Sequence, residues 1–409
     1  MLNYHYVARN PATGKQVKAD VQADSEAAAA KLIRAEGLIA LDIKLSESGL
    51  GGLGAGFRNR VKAKDRVLFS RQLSTLINAG LPLLQALRSV NTQTTSKPLK
   101  VVLNQIIADV EGGSTLSASI SRHPRVFNQV YVSLIAAGET SGTLDAALDR
   151  LAIQQEKDAD LVSKVRGALT YPIIVVFIMI IVVGFMIVKV LPQVKNIYSG
   201  LNGVQLPLIT RVLLVISDFT IKYWWLVILI LGLSAFFGSR WARTGPGKQV
   251  VDKLKMKAGP IGVLFMKMYM ARFARTGSTL VASGVPLLQM LEITSNAVNN
   301  VHLQNSIMRA AEKVKGGKSL GDTLGADPNF LPLVPSMLKI GEQSGSVEEM
   351  LSKCAEYYEK EVDNEVAAIS SIIEPVMMVL LGVSAFIIVA AVLLPIYGLA
   401  GNSQFTSAG

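Results

Sequence analysis

The chain has 409 residues, of which 50% are hydrophobic and only 17% are charged, whereas an ordinary soluble domain carries about 25% charged residues. This composition places part of the chain in lipid and excludes collagen-like, mucin-like and strongly disordered classes. Lysine and arginine number 41 against 30 aspartates and glutamates, and the single cysteine, Cys354, excludes an intrachain disulfide and a cysteine-rich metal site.

Residues 1–45 are predicted to form a small α/β module. The elements expected there are two alternating strands, an alanine-rich helix and a third strand, at Asn3–Arg9, Gln16–Val21, Ser25–Glu36 and Leu38–Leu45. The first 30 residues lack the apolar segment of a cleavable secretory signal, so the N-terminus is expected in the cytosol. Residues 46–64 are glycine-rich and then basic, which predicts a flexible basic linker.

Three apolar windows are candidates for membrane-spanning helices. Ile173–Leu191 has 19 residues with one ionisable group, and Pro375–Leu394 has 20 residues with none. Both lengths are close to the roughly 20 residues that a ~30 Å hydrocarbon layer requires. Trp224–Phe237 holds only 14 apolar residues, so its length alone also allows a buried core helix or a re-entrant segment.

The distribution of basic residues indicates how these windows are oriented. Residues 1–171 hold 21 lysines and arginines and residues 240–371 hold 16, so the positive-inside bias puts both segments in the cytosol and requires the short tryptophan window to cross. We therefore predict transmembrane helices at 172–191, 223–239 and 372–397, an extracytoplasmic segment at 192–222 and an extracytoplasmic tail at 398–409. Topology thus explains most of the net charge of +11, and no nucleic-acid partner is expected because aromatic interleaving and known binding motifs are missing.

The chain contains an internal duplication. Phe69–Leu87 realigns with Phe273–Leu291, and further along Gly138–Gly142 realigns with Gly341–Gly345. Both copies end in an apolar window entered from the same side, so an odd number of crossings must separate them. Glycine and proline punctuation divides each copy into about six helices, the last one long. The sequence therefore predicts two cytosolic helical bundles, at residues 65–171 and 240–371.

Local signals predict how the long last helices begin and continue. In the first copy the helix is expected to start near Thr143, where leucines begin to recur at helical spacing. In the second copy, Ser346 and Glu349 match a capping box. Pro172 and Pro375 are expected to reset or kink the chain at the membrane boundary.

Three patterns resemble catalytic or cofactor-binding motifs in residue type but lack the sequence context that those motifs require. Gly49–Gly54 has the spacing of a dinucleotide fingerprint, but the run is simply glycine-rich and reads as linker. Gly317–Ser319 resembles the end of a P-loop, yet Glu312 occupies the position of its first glycine. The histidines are far apart, at His5, His123 and His302. We predict no catalytic residue, no cofactor and no metal site, and we do not expect an enzyme.

The motif Gly-Glu-x-Ser-Gly occurs once in each copy and supplies the first candidate contact residues. They are Gly138, Glu139, Ser141, Gly142, Gly341, Glu342, Ser344 and Gly345. We interpret each motif as a turn whose carboxylate either hydrogen-bonds nearby backbone groups or contacts a partner or a cation. A second set lies at the membrane boundary, where an ionisable group is a functional candidate by default: Tyr171, Pro172, Glu374 and Pro375.

Taken in order and in duplicate, Gly-x-Pro-Leu-Leu-Gln, Gly-Gly and Gly-Glu-x-Ser-Gly, with a Tyr-Pro boundary in one copy and a Glu-Pro boundary in the other, resemble the type II secretion F-domain family. Members of this family are inner-membrane platform proteins of type IV pilus, type II secretion and competence machines. The resemblance covers nearly the whole chain. It implies a mainly α integral membrane protein with two duplicated six-helix cytosolic bundles, three transmembrane helices and the N-terminal α/β module.

The resemblance also implies a function. It indicates a non-enzymatic scaffold of a type IV pilus machine in the inner membrane, with a cytoplasmic N-terminus and an extracytoplasmic C-terminus, that couples a cytosolic hexameric ATPase to insertion or withdrawal of pilin subunits. The implied partners are that motor ATPase, pilins or pseudopilins, other inner-membrane assembly proteins, the lipid bilayer and further copies of the chain in a dimer or tetramer.

Two alternative functions stay open at this point. One is the platform of a type II secretion or competence pseudopilus system. The more distant one is a small-solute transporter, which is disfavoured because Lys189 and Glu374 lie at the edges of the apolar windows, whereas transporter sites usually lie near the bilayer midplane.

Overall fold

The computed structural model describes residues 2–9, 16–23, 30, 32–34, 39–45, 61–190, 192–193, 208–242 and 244–400. The chain divides into two compact units, Met1–Arg60 and Val61–Gly409. The first unit is small and carries a sheet, and the second carries the helices.

The sheet of the first unit has three antiparallel strands in the order β2-β1-β3. The strands are β1 (Leu2–Arg9), β2 (Gln16–Ala23) and β3 (Ile39–Leu45). Tyr4 of the central strand lies opposite a residue of each neighbour, Val21 and Leu45. The strands lie where the alternating pattern predicts them. Of the predicted helix Ser25–Glu36, residues 30 and 32–34 are described and helical, and the other residues lie outside the described part.

Residues 61–190, hereafter repeat one, form six helices followed by a short π-helical turn at Met186–Val190. The helices are α1 (Ala63–Asn78), α2 (Leu83–Gln93), α3 (Lys97–Glu111), α4 (Leu116–Ser121), α5 (Gln129–Ser141) and α6 (Leu144–Phe185). The predicted start of α6 near Thr143 is confirmed. Helix α1 begins inside the predicted linker 46–64, because Asp65 in its first turn favours a helix N-terminus there. Residues 46–60 lie outside the described part.

Within the described residues, three helices follow repeat one before a second set of six repeats its order. The intervening helices are α7 (Leu208–Lys222), α8 (Trp224–Trp241) and α9 (Gly245–Lys257). Then come α10 (Gly259–Ala282), α11 (Leu287–Ala297), α12 (Val301–Lys315), α13 (Leu320–Gly325), α14 (Leu333–Ser344) and α15 (Val347–Ala400). Helices α10 to α15, hereafter repeat two, correspond to α1 to α6.

Each repeat is built around an aromatic pair at equivalent positions. The ring centroids of Phe69 and Phe127 lie 5.8 Å apart in repeat one, and those of Phe273 and Phe330 lie 5.3 Å apart in repeat two. All four side chains are buried and belong to one continuous apolar cluster that runs through both repeats. Burying a side chain of this size contributes about 1.5–3 kcal/mol, so the duplicated apolar pattern in the sequence reflects a duplicated core.

The prolines at the membrane boundary lie inside continuous helices, so the predicted reset of the chain is wrong and the predicted kink stays a prediction. Pro172 is an interior residue of α6, and Pro375 lies within α15. A proline removes one backbone hydrogen bond from a helix. Both helices continue because the residues on either side keep their own backbone bonds and, in an apolar environment, unbonded backbone groups are costly.

Two of the described helices are long and apolar enough to cross a membrane: α6 with its π-helical turn, Leu144–Val190, and the Val347–Ile387 part of α15. Their apolar ends are exposed; Phe177 is 62% exposed and Phe386 is 72% exposed. A core helix of a soluble protein would bury such side chains. Together with the composition, this exposure makes the chain a membrane protein.

Candidate partner-contact sites

The Gly-Glu-x-Ser-Gly motif was predicted to be a turn, and it forms the last turn of a helix together with the glycine that ends it. Residues 138–141 form the last turn of α5, and only Gly142 leaves the helix, with φ 73°. In repeat two, Gly345 closes α14 in the same way, with φ 70°. These left-handed conformations suit glycine. The motif therefore joins two consecutive helices in a tight hairpin.

The carboxylate of each motif binds the start of the short helix in the same repeat. In repeat one, Glu139 Oε1 accepts from the backbone N–H of Leu116 at 2.5 Å, and Oε2 accepts from the N–H of Ser117 at 3.1 Å and also from the Ser117 hydroxyl. A carboxylate at a helix N-terminus satisfies free N–H donors and interacts favourably with the helix dipole. Glu139 thus fixes α4 to α5.

Repeat two contains the same arrangement. Glu342 Oε1 accepts from the N–H of Leu320 at 2.6 Å, and Oε2 accepts from the N–H of Gly321 at 3.0 Å and from the Ser319 hydroxyl at 2.5 Å. Ser319 is the N-cap residue of α13. The letters that resemble a P-loop end therefore form a helix start that is bound by the motif carboxylate.

The first glycine and the serine of each motif also have structural partners. A Cβ atom on Gly138 would lie 2.4 Å from Ala147 Cβ, and one on Gly341 would lie 2.9 Å from Val347 Cα. The hydroxyl of Ser141 donates to the carbonyl of Ala137 at 2.8 Å, as Ser344 does one turn back in its own helix. These residues allow the two helices of each hairpin to approach closely.

Internal bonding leaves only part of each motif available to a partner. Both carboxylates are half-buried, whereas the variable positions of the motifs, Thr140 and Gln343, are exposed. A contact between the carboxylates and a partner or cation stays a prediction.

The capping box predicted from Ser346 and Glu349 is wrong. The Ser346 N–H donates to the carbonyl of Gly341 at 2.9 Å, and Glu349 forms an ion pair with Lys353 at 2.6 Å. The hairpin supplies a backbone acceptor for Ser346, so the side chain of Glu349 is not needed there.

The membrane-boundary candidates meet in one cleft between the two long helices. Tyr171 and Pro172 from α6 and Ser370 and Glu374 from α15 line this cleft, whose volume is about 380 Å³. Pro375 follows Glu374 in α15. Glu374 is exposed and Tyr171 is 57% exposed, so the cleft presents a carboxylate and a phenol beside the apolar part of both helices.

A duplicated ion pair was missed in the sequence. Arg71 Nε donates to Glu156 Oε1 at 2.6 Å, and Arg275 Nε donates to Glu359 Oε1 at 2.7 Å. Hydrogen bonding from Arg71 lowers the pKa of Glu156. Each pair joins the first helix of its repeat to the last helix. Self-comparison of the sequence could have revealed these pairs, because both the arginine and the glutamate occur at equivalent positions in the two copies.

The remaining single residues have local roles. Cys354 is buried on α15, and burial raises the pKa of its thiol to about 11. His302 Nε2 lies 3.0 Å from the carbonyl of Gln249, at the contact between α9 and α12. Within the described ranges, no group of three histidine, cysteine, aspartate or glutamate side chains is arranged to hold a metal ion.

The fold and these sites define a class of membrane protein in which two copies of a helical bundle each continue into a long apolar helix. Residues 69–192 and 273–395 match the family described as Type II secretion system (T2SS), protein F, and residues 1–44 match the family described as its N-terminal domain. The chain belongs to the type II secretion system protein F family, which confirms the resemblance seen in the sequence.

Individual relatives extend over nearly the whole chain. The type IV pilus assembly protein PilC of Thermus thermophilus is 40% identical over 408 residues, which cover 98% of each chain. PilC of Pseudomonas aeruginosa is 36% identical over 88% of this chain and 96% of the relative. The type II secretion system protein F of Pseudomonas aeruginosa is 33% identical over 98% of this chain and 99% of the relative.

Proposed function

We propose that this chain is the inner-membrane platform protein of a type IV pilus assembly machine. In this role it is a non-enzymatic scaffold that couples a cytosolic hexameric ATPase to insertion or withdrawal of pilin subunits. Family membership supports the proposal, as do relatives named as type IV pilus assembly proteins at 34–40% identity.

The continuity of the long helices carries the mechanical part of the proposal. Helix α6 has 42 residues and α15 has 54, so at 1.5 Å per residue they are about 63 and 81 Å long. A hydrocarbon layer takes up only ~30 Å of that length. In this proposal, a displacement applied to either bundle passes into the membrane along one continuous helix, which contains Pro172 or Pro375 at the boundary.

The proposed topology has three crossings, within the transmembrane bounds 172–191, 223–239 and 372–397 predicted above. Helix α8 supplies the middle crossing. Trp224 at its start and Trp241 at its end are both more than half exposed, as expected of side chains anchored at the two interfaces. Arg240 in the last turn marks the cytosolic side. Residues 192–222 and 398–409 are then extracytoplasmic.

The two bundles supply the surfaces for cytosolic partners, and the boundary cleft supplies one for partners in the membrane. The exposed Thr140 and Gln343 lie at equivalent places on the two bundles, so they offer a repeated contact to a ring-shaped motor. In the proposed topology, Glu374 and Tyr171 in the cleft lie at the cytosolic boundary of the membrane, where a pilin helix would contact them. Other inner-membrane assembly proteins would contact the exposed apolar parts of α6 and α15.

Deletion of the gene in its native host tests the function. We expect the deletion strain to lose surface filaments and the wild-type gene to restore them. A deletion strain that keeps its filaments but fails to secrete folded proteins would replace the pilus assignment with the type II secretion alternative, which the 33% identity to a type II secretion system protein F keeps in view.

Motor contact is tested separately with exposed residues. A Thr140→Arg, Gln343→Arg double variant is expected to fold normally and to recover less motor ATPase in a pull-down from membranes. The matched control replaces exposed residues away from the hairpins, Gln105→Arg with Asn305→Arg. Equal ATPase recovery from both variants would move the motor contact to another face of the bundles.

Cysteine labelling tests the topology. In a Cys354→Ala background, single cysteines at Asn202 and Asn402 are expected to react with a membrane-impermeant maleimide in intact cells. Cysteines at Thr140 and Gln343 are expected to react only after lysis. Labelling of Gln343→Cys in intact cells would contradict the three-crossing topology.

A further inference from the structure

The two repeats are joined through a groove of repeat one that is covered by a face of repeat two. The groove runs between the start of α5 and the middle of α6. Gln154, which is 5% exposed, donates from Nε2 to Thr276 Oγ1 at 3.1 Å and accepts from Thr279 Oγ1 at 3.2 Å. Asp158 Oδ1 accepts from Arg272 Nε at 2.6 Å. A polar cavity of about 300 Å³ remains between the two surfaces.

A cation at the edge of this groove binds the end of the covering helix. Arg150 Nη1 donates to the carbonyl of Ala282, the last residue of α10, at 2.5 Å. Carbonyls at a helix C-terminus lack internal partners and carry partial negative charge. Arg150 therefore closes the interface between the two repeats.

Repeat two contains the equivalent groove, but here it is open. With the alignment that pairs Gly138 with Gly341, the groove positions Asn128, Val130 and Gln154 become Leu331, Leu333 and Tyr357. These three residues line a groove of about 430 Å³ between α14 and α15. Tyr357 is 50% exposed, whereas its counterpart Gln154 is buried.

Repeat one likewise keeps the equivalent face open. With the alignment that pairs Phe69 with Phe273, the covering residues Arg272 and Thr279 correspond to Leu68 and Thr75 of α1. Leu68 is 57% exposed, and Thr75 is exposed as well. The contact between the repeats is therefore heterologous, and the described residues of each chain leave one such groove and one such face uncovered.

The unused surfaces fit each other chemically. Apolar Leu68 replaces Arg272 on the face, and apolar Leu331 and Tyr357 replace amides in the groove. Lys353 occupies the position of Arg150. Its exposed side chain contacts Glu349 of the same helix, and a covering α1 would bring Asn78, the last residue of that helix, to it.

We infer that the groove between α14 and α15 receives the exposed face of α1 and α2 from a second copy of this chain. The contact reproduces between copies the arrangement that joins the two repeats within a copy. The apolar replacements match a contact that must form without a covalent link, since burying apolar surface provides most of the free energy of association.

The membrane then closes the assembly. Helices α6 and α15 of every copy enter the same bilayer, so copies related by this contact are rotated about the membrane normal and are not displaced along it. A heterologous contact under that restriction gives a closed ring when its rotation divides a full turn, and the smallest such ring has two copies and four repeats. This step alone rests on the proposed function and its topology; the contact between copies does not.

Cysteine crosslinking on the full-length chain in membranes tests the contact. Thr75 and Tyr357 are equivalent to Thr279 and Gln154, which touch within one chain. In a Cys354→Ala background, co-expressed chains carrying Thr75→Cys and Tyr357→Cys separately are expected to form a mixed disulfide dimer on oxidation. Thr279→Cys with Gln154→Cys in one chain is the positive control and forms an internal disulfide. Val101→Cys, exposed on α3, replaces Thr75→Cys as the negative control.

The oligomeric state of variants with a reversed or an introduced charge gives a second test. In detergent, Lys353→Glu and Leu68→Asp are each expected to convert the oligomer to a monomer by mass photometry, whereas Lys360→Glu and Val101→Asp leave it intact. An oligomer that survives both test variants, or a dimer formed as readily by the Val101 pair, would overturn the inference. If the monomeric variants still assemble filaments, the platform function stands without this contact; if the crosslinked dimer forms but the deletion strain keeps its filaments, the inference stands and the platform function fails.

Discussion

Neutralising the duplicated carboxylates isolates the contribution of the Glu139 and Glu342 contacts to the fold. Glu139→Gln keeps the shape of the side chain but replaces one oxygen with an NH₂ group. Whichever oxygen is replaced, the NH₂ group faces a backbone donor: the N–H of Leu116 at the Oε1 position or the N–H of Ser117 at the Oε2 position. The variant therefore loses a charge-assisted bond and brings two donors together at the start of α4.

The size of the effect follows from these bonds. A hydrogen bond to a charged group contributes about 1.5–3 kcal/mol and a neutral one about 0.5–1.5 kcal/mol, and the charge at a helix N-terminus adds about 0.3–1 kcal/mol. Glu139 is half-buried, which weakens each contribution. We expect Glu139→Gln to destabilise the docking of α4 by about 1–2 kcal/mol, with a similar effect of Glu342→Gln on α13.

Hydrogen exchange measures this effect where it occurs. Amide exchange within residues 115–121 of the full chain is expected to accelerate about tenfold for each 1.4 kcal/mol lost, with exchange in α13 unchanged. Glu342→Gln should give the opposite pattern, and Glu312→Gln, exposed on α12, is the control. Unchanged exchange in α4 of Glu139→Gln would refute the reasoning from the hydrogen bonds. It would return these carboxylates to the role of partner contacts.

Two further predictions concern the hairpin and the duplicated ion pair. Gly138→Ala places a Cβ 2.4 Å from Ala147 Cβ and should lower the thermal midpoint more than Gly142→Ala, which costs only about 1–2 kcal/mol of left-handed backbone strain; equal midpoints would refute the packing argument. The pKa of Glu156 is lowered by its bond from Arg71, so the pair stabilises the fold above the unfolded pKa near 4.5 and this contribution is lost as pH falls through the folded value. Arg71→Gln should therefore flatten the loss of stability as pH falls from about 5 to below the lowered pKa of Glu156, and an unchanged pH profile in that range would contradict it.

Local patterns in the sequence determined much of this molecule. Helical spacing of leucines predicted where α6 begins, alternation predicted the three strands, and self-comparison predicted two bundles of six helices. These features depend on residues close together in the sequence or on total hydrophobicity, so they can be predicted from the sequence alone. The lengths of the two long apolar windows likewise predicted α6 and α15, because lipid demands a long uninterrupted run of apolar residues.

Tertiary structure decided what the polar residues do. The sequence shows that Glu139 recurs as Glu342, but the start of α4 that Glu139 binds lies in a different helix, and spacing along the chain does not reveal that contact. The capping box failed for the same reason, because the carbonyl of Gly341 reached Ser346 across the hairpin. Hydrogen bonds and ion pairs act over about 3 Å in space whatever the distance in sequence, and only the packed helices show which groups come within that reach.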